Sequence, residues 1–104
     1  MKVINFLGDR LGSGGIESFL VNSTKNMIEY GIHPVILTNY KTKSIYEKKF
    51  KENGVDVIAI SDFKNKYLKK ILLFTHYMKK ERNSILHIHA SSPGMYTYAI
   101  FAKF

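Results

Sequence analysis

The sequence contains no cysteine, which excludes a disulfide framework, a thiolate zinc site and a cysteine nucleophile, and which suits a reducing cytosol. It has no stretch approaching the roughly 20 apolar residues that span a bilayer. Only a handful of apolar residues precede Gly8, too few for the core of a signal peptide. The chain therefore reads as cytoplasmic. Acidic residues are scarce, eight against sixteen Lys and Arg, for a formal charge of +8. Such a balance admits an anionic partner: nucleic acid, anionic lipid or a phosphorylated ligand. Internal repeats, low-complexity segments and linkers are absent too, and no third ligand joins His87 and His89 to make a metal site.

What is present is enough for one small domain. With 104 residues and 45% hydrophobic content the chain can build a core, although only about two-thirds of the unfolded surface is buried at this size. Two hydrophobic periods alternate along it. Val3, Ile4, Phe6 and Leu7 make a short apolar run, and Ile16, Phe19, Leu20, Ser23, Met27 and Ile28 recur at helical spacing up to Gly31, a C-terminal stop. Pro34 opens a second run, Val35 to Leu37. Ser44-Ile45-Tyr46-Glu47 has the form of a capping box for a helix ending at Asn53-Gly54. Val55 to Ile60 is a third run. Lys64 to Arg82 carries another stripe (Tyr67, Leu68, Ile71, Phe74, Thr75, Met78), Ile85 to Ile88 is a fourth strand, and Ser92-Pro93 reads as the start of a last helix.

Short strands apolar on both faces, alternating with helices, predict an α/β, Rossmann-like three-layer domain with a mainly parallel sheet and right-handed crossovers. In the usual order 3-2-1-4, ligands bind outside the carboxyl ends, where the order reverses between the first and fourth strands. Two loops meet there: Gly8 to Gly15, four of whose eight residues are glycine, and His89-Ala90-Ser91-Ser92-Pro93. Glycine lets a ligand approach the main chain, and the helix that follows offers free N–H groups and a positive dipole end, the form of a phosphate-binding turn. The spacing does not match G-x-G-x-x-G, and Thr38-Asn39-Tyr40 stands where a ribose-binding acid is expected, which disfavours a nicotinamide dehydrogenase. No G-x-x-x-x-G-K-[ST] is present, so a P-loop NTPase is excluded.

Gly8-x-x-x-Gly12-x-Gly14-Gly15-Ile16-Glu17 opening a helix, followed by Ile85-Leu86-His87-Ile88-His89-Ala90-Ser91-Ser92-Pro93-Gly94, resembles the N-terminal domain of the retaining glycosyltransferases of family 4, which have the two-domain GT-B fold. The resemblance runs over all 104 residues. It implies transfer of a sugar from a nucleotide-sugar donor, used as substrate with no further cofactor, to a saccharide or lipid-linked acceptor, in capsular, exopolysaccharide or other cell-surface glycan synthesis. In that family the N-terminal domain holds the acceptor and lends its glycine loop to the donor diphosphate, and a second domain binds the nucleotide. The second domain, with its paired glutamates, has no counterpart here. Residues 1–104 are thus expected to be part of an N-terminal domain that is inactive by itself, and the apolar ending Ala99 to Phe104 after only four strands agrees with that expectation.

By the same resemblance Gly12, Ser13, Gly14 and Gly15 face the leaving diphosphate, against the plainer reading of a turn that needs glycine for steric reasons. Glu17 matches the motif, yet a first-turn glutamate is favoured by the helix dipole in any case. His87 and His89 point to one strand face; His87 is expected to be buried and hydrogen-bonded, and His89, at the carboxyl end, to line the acceptor or donor crevice. Ser91 and Ser92 are candidates for sugar or phosphate contacts, with Ser92 first of all a helix cap. No complete catalytic set is present. The basic segment has two readings: Lys69, Lys70, Lys79 and Lys80 facing an anionic membrane, or a solvated lysine face over a core stripe. Nucleic-acid binding lacks an accompanying motif. Two alternatives to the transferase remain: a non-catalytic α/β module for a phosphorylated small molecule, and a basic membrane-surface adaptor.

Overall fold

The computed structural model describes residues 1–8, 15–41, 44–81 and 83–89. Strands and helices alternate as β1 (Lys2–Phe6), α1 (Gly15–Glu29), β2 (His33–Tyr40), α2 (Ile45–Glu52), β3 (Asp56–Ser61), α3 (Tyr67–Lys80) and β4 (Ile85–Ile88). All strand pairs are parallel, and the sheet order is β3-β2-β1-β4. The expected Rossmann-like α/β architecture, with order 3-2-1-4, is the one that forms.

The continuous apolar runs of β1 and β2 follow from coverage on both faces. Alternate residues Ile4, Phe6, Val35 and Leu37 pack against Ile71, Phe74 and Met78 of α3. Ile36 points the other way and joins Leu20 of α1, Phe50 of α2 and Val55. Two right-handed crossovers in one direction, β1 to β2 to β3, place α1 and α2 on the same face; the return from β3 across the sheet to β4 puts α3 on the other. The reversal between β1 and β4 is the topological switch point. Phe6 and Phe74, both fully buried, meet with ring centroids 4.6 Å apart and anchor α3 to the sheet.

Local sequence accounts for the element ends. α1 stops where Gly31 adopts φ +77°, a region that glycine enters without a Cβ penalty, and Ile32 N–H caps Met27 C=O at 2.9 Å. Ser44 caps α2, its Oγ accepting from Tyr46 N–H at 3.2 Å, and Glu47 pairs with Lys51 at 3.3 Å. Pro34 sits inside β2 without disrupting it. His33 N–H donates to Met1 C=O, toward β1, so alternation turns the position of the missing Pro34 N–H toward β3, whose pairing begins only at Val35.

Both apolar stripes are narrower than their spacing predicts. In α1 Leu20 is buried, as is Thr24, whose Oγ1 donates to Leu20 C=O at 2.6 Å, while Ile16, Phe19 and Ile28 are exposed. In α3 the buried residues are Ile71, Phe74 and Met78; Leu68, expected in that stripe, faces outward. The helix is also shorter than Lys64 to Arg82. Among the described residues no helix is long and apolar enough to cross a membrane.

Candidate functional site

The site lies at the carboxyl edge of β1 and β4. β1 runs into Leu7, whose N–H donates to Leu37 C=O at 3.0 Å, and into Gly8, which is buried and adopts φ +89°. At that φ a side chain would be strained, and the Gly8 carbonyl is already engaged, accepting from Asn39 N–H at 2.8 Å. Gly8 is therefore pinned to the end of β2. The helix begins at Gly15 and carries Glu17 in its first turn, half-buried, where a carboxylate complements the dipole.

On the other side of β1, His89 extends the pairing of β4 by one residue, its N–H donating to Phe6 C=O at 3.0 Å. Its ring is held by Asn5, a residue with no exposed surface. Asn5 Nδ2 donates to Val35 C=O at 3.3 Å, which turns its Oδ1 toward His89 Nε2, also at 3.3 Å. A carbonyl oxygen can only accept, so Nε2 carries the ring proton and Nδ1 is the ring's acceptor. Burial lowers the His89 pKa below the ordinary histidine value, and the neighbouring His87 lowers it further. The imidazole is thus kept neutral, one nitrogen donating within the fold and the other available as an acceptor.

His87 and His89 share a strand face, as the two-residue spacing requires, with ring centroids 4.1 Å apart. The expectation that His87 is buried in the sheet is corrected: it is exposed. α1 packs on β2 and α2, and α2 packs on β3, so the face of β4 carrying Ile85 and His87 is left uncovered among the described residues.

Of the other sequence candidates, Gly12, Ser13, Gly14, Ser91 and Ser92 lie outside the described residues, as does the helix expected from Ser92. The structure places Gly8 and His89 at the carboxyl ends of the adjacent strands β1 and β4, and α1 begins at Gly15. Lys69, Lys79 and Lys80 are exposed on α3 and Lys70 is half-buried there, all on the helix that covers the opposite sheet face from α1. Asn5, the residue that orients His89, escaped the sequence reading; its signal is a lone amide inside the apolar run Val3 to Leu7. A separate cavity of about 340 Å³ opens beside α2 at the β2–β3 end of the sheet, lined in part by Thr38, Lys41, Glu47, Lys51 and Asp62. Its two cations are matched by two carboxylates, so it has no marked preference for an anion. No group of three or more metal-ligating side chains occurs among the described residues.

No family model matches the sequence, and no curated protein matches it. The chain is similar to a solved structure, a glycosyltransferase from Rickettsia africae ESF-5, with a TM-score of 0.65 and 17% identity over 95% of this chain and 26% of that one. The chain thus spans about a quarter of the length of that glycosyltransferase. What the likeness establishes is the fold: a Rossmann-like α/β sheet of the kind found within a glycosyltransferase.

Proposed function

We propose that this chain is the acceptor-side, N-terminal part of a nucleotide-sugar-dependent glycosyltransferase with a GT-B architecture, similar to family 4. The observation that carries this reading is the placement of Gly8 and the Asn5-held His89 on adjacent strand ends at the switch point of the sheet. The likeness to a glycosyltransferase fold supports it, and so does the match of the Gly12–Gly15 and His87–His89 sequences to that family.

In this reading the main-chain N–H groups of the glycine loop and the first turn of α1 face the diphosphate of the donor. Negative charge grows on the diphosphate as the sugar–oxygen bond breaks, and fixed N–H dipoles stabilise it without reorganising. His89 lines the crevice between that diphosphate and the acceptor. Being neutral, it accepts a hydrogen bond from a sugar hydroxyl through Nδ1 and adds no charge to the site. A second domain, contributed by sequence beyond these residues, holds the nucleotide. The setting is the cytoplasmic side of a membrane, and the product a cell-surface glycan.

The test is turnover of the full-length protein with uridine, guanosine and adenosine diphosphate sugars. Transfer or hydrolysis of at least one is expected, and residues 1–104 alone should turn over none. Failure across the whole panel contradicts the transferase reading. In that case a phosphate titration that maps to Gly12–Glu17 without any second domain would favour a non-catalytic phosphate-binding module.

A further inference from the structure

We propose that the outward face of α3 docks on an anionic lipid bilayer. The helix has two opposed faces. Ile71, Phe74 and Met78 are buried against the sheet, while Leu68 and Leu72, one turn apart, are 77% and 69% exposed. Phe63, in the segment leading into the helix, is 77% exposed. These three large apolar side chains lie in a field of lysines: Lys64 and Lys66 before the helix, and Lys69, Lys79 and Lys80 on it, all exposed. At 100° per residue, Leu68, Leu72 and Lys79 fall within one narrow sector, with His76, Lys69 and Lys80 alongside.

The acids nearby do not cancel this charge. Asp62 is exposed before the helix, and Glu81 at its end is paired with Lys2 at 3.1 Å. Charge complementarity selects the occupant. A second copy of this face would bring like charge against like, and nucleic acid would satisfy the lysines while leaving Leu68, Leu72 and Phe63 in water. An anionic bilayer satisfies both, with lysines at the headgroups and the apolar side chains below them. The helix has fourteen residues and many charges, so it lies in the membrane plane and does not cross it. The sequence had suggested Lys69, Lys70, Lys79 and Lys80 as the membrane-facing set; the half-buried Lys70 belongs to the flank of the face, and Lys64 and Lys66 join it. The proposal does not depend on sugar transfer.

The chain contains no tryptophan, so Leu72→Trp introduces a single indole at the centre of the face. Its emission should shift to the blue with vesicles of mixed phosphatidylglycerol and phosphatidylcholine and stay unchanged with phosphatidylcholine alone. Lys48→Trp, at an exposed position on α2, should show no shift with either. In sedimentation with the anionic vesicles, Lys69→Ala/Lys79→Ala/Lys80→Ala should lose about a hundredfold in partition. Leu68→Ser/Leu72→Ser should lose about tenfold or more. All these positions are exposed, so circular dichroism should show each variant folded. No indole shift with anionic vesicles, or vesicle binding unaltered by the leucine changes, overturns the proposal. So does a shift produced by duplex RNA or by self-association but not by vesicles.

Discussion

Phe74→Ala and Leu72→Ala, two positions apart on α3, should differ sharply in cost. Phe74 has no exposed surface and its ring lies 4.6 Å from that of Phe6, so truncation opens a cavity at the centre of the α3–sheet contact. Phenylalanine-to-alanine changes in cores cost about 3–5 kcal/mol, of which about 1 kcal/mol here belongs to the lost aromatic pair. Leu72 is 69% exposed, and its truncation removes little buried surface, for a change within about 0.5 kcal/mol. Both changes install alanine in the same helix, so helix propensity moves each by a few tenths of a kcal/mol in the same direction, and the difference reports burial. At about 0.05–0.15 kcal/mol per residue a chain of this length has roughly 5–15 kcal/mol to lose. At about 4–8 °C per kcal/mol, the Phe74 variant should melt about 12–40 °C lower, against a few degrees at most for Leu72→Ala. Thermal unfolding followed by far-UV circular dichroism measures both. Equal shifts for the two variants, or a Phe74→Ala shift of only a few degrees, would refute the docking of α3 through Phe74.

The His89 ring should titrate below the ordinary histidine pKa of about 6.5 in an NMR titration, and His87→Ala should bring it only part of the way back, because burial is the larger cause. With the folded value lowered, the unfolded chain takes up this proton first. The stability contributed by neutral His89 is therefore full above about pH 6.5 and is lost as pH falls through the folded value, a slope that His89→Gln should remove. Tyr77 presents a buried hydroxyl with no hydrogen-bond partner among the described residues, so Tyr77→Phe should be neutral or stabilising by about 1 kcal/mol in denaturant unfolding. Burial, with Glu81 and Asp56, raises the Tyr77 phenol pKa, and its ultraviolet titration should midpoint above 10. Gly31→Ala meets no atom within 4 Å, so the cost of about 1 kcal/mol expected in the same assay comes from its positive φ alone.

The coverage of both faces was legible in the sequence because the runs in β1 and β2 are apolar with little alternation, which a sheet buried on both sides requires, whereas the strand order followed from the usual doubly wound arrangement and not from the strands themselves. Element ends were legible where a single residue dictates them, as Gly31 and Gly54 do with their positive φ. The surroundings of His87 were not. Its neighbours Leu86 and Ile88 pack on the α3 side, and nothing local tells that the other face of β4 lies beyond the reach of α1 and α2. Asn5 was hidden for a related reason: the ring it holds is 84 residues away in sequence, so the amide looks like a flaw in an apolar run until the two strands pair. Leu68 followed helical spacing, yet a helix docked through Ile71, Phe74 and Met78 has no second surface to offer it.

The central proposal, that sugar transfer takes place beside Gly8 and His89, is tested most directly by the turnover of full-length protein carrying His89→Ala, with an active nucleotide sugar. His89 is half-buried and shares one hydrogen bond with Asn5, so the variant should fold. The account predicts a fall in turnover of about tenfold or more, of the size seen when a positioned hydrogen-bonding group is removed from a transition state. Turnover equal to that of the parent, with the fold intact, would contradict it.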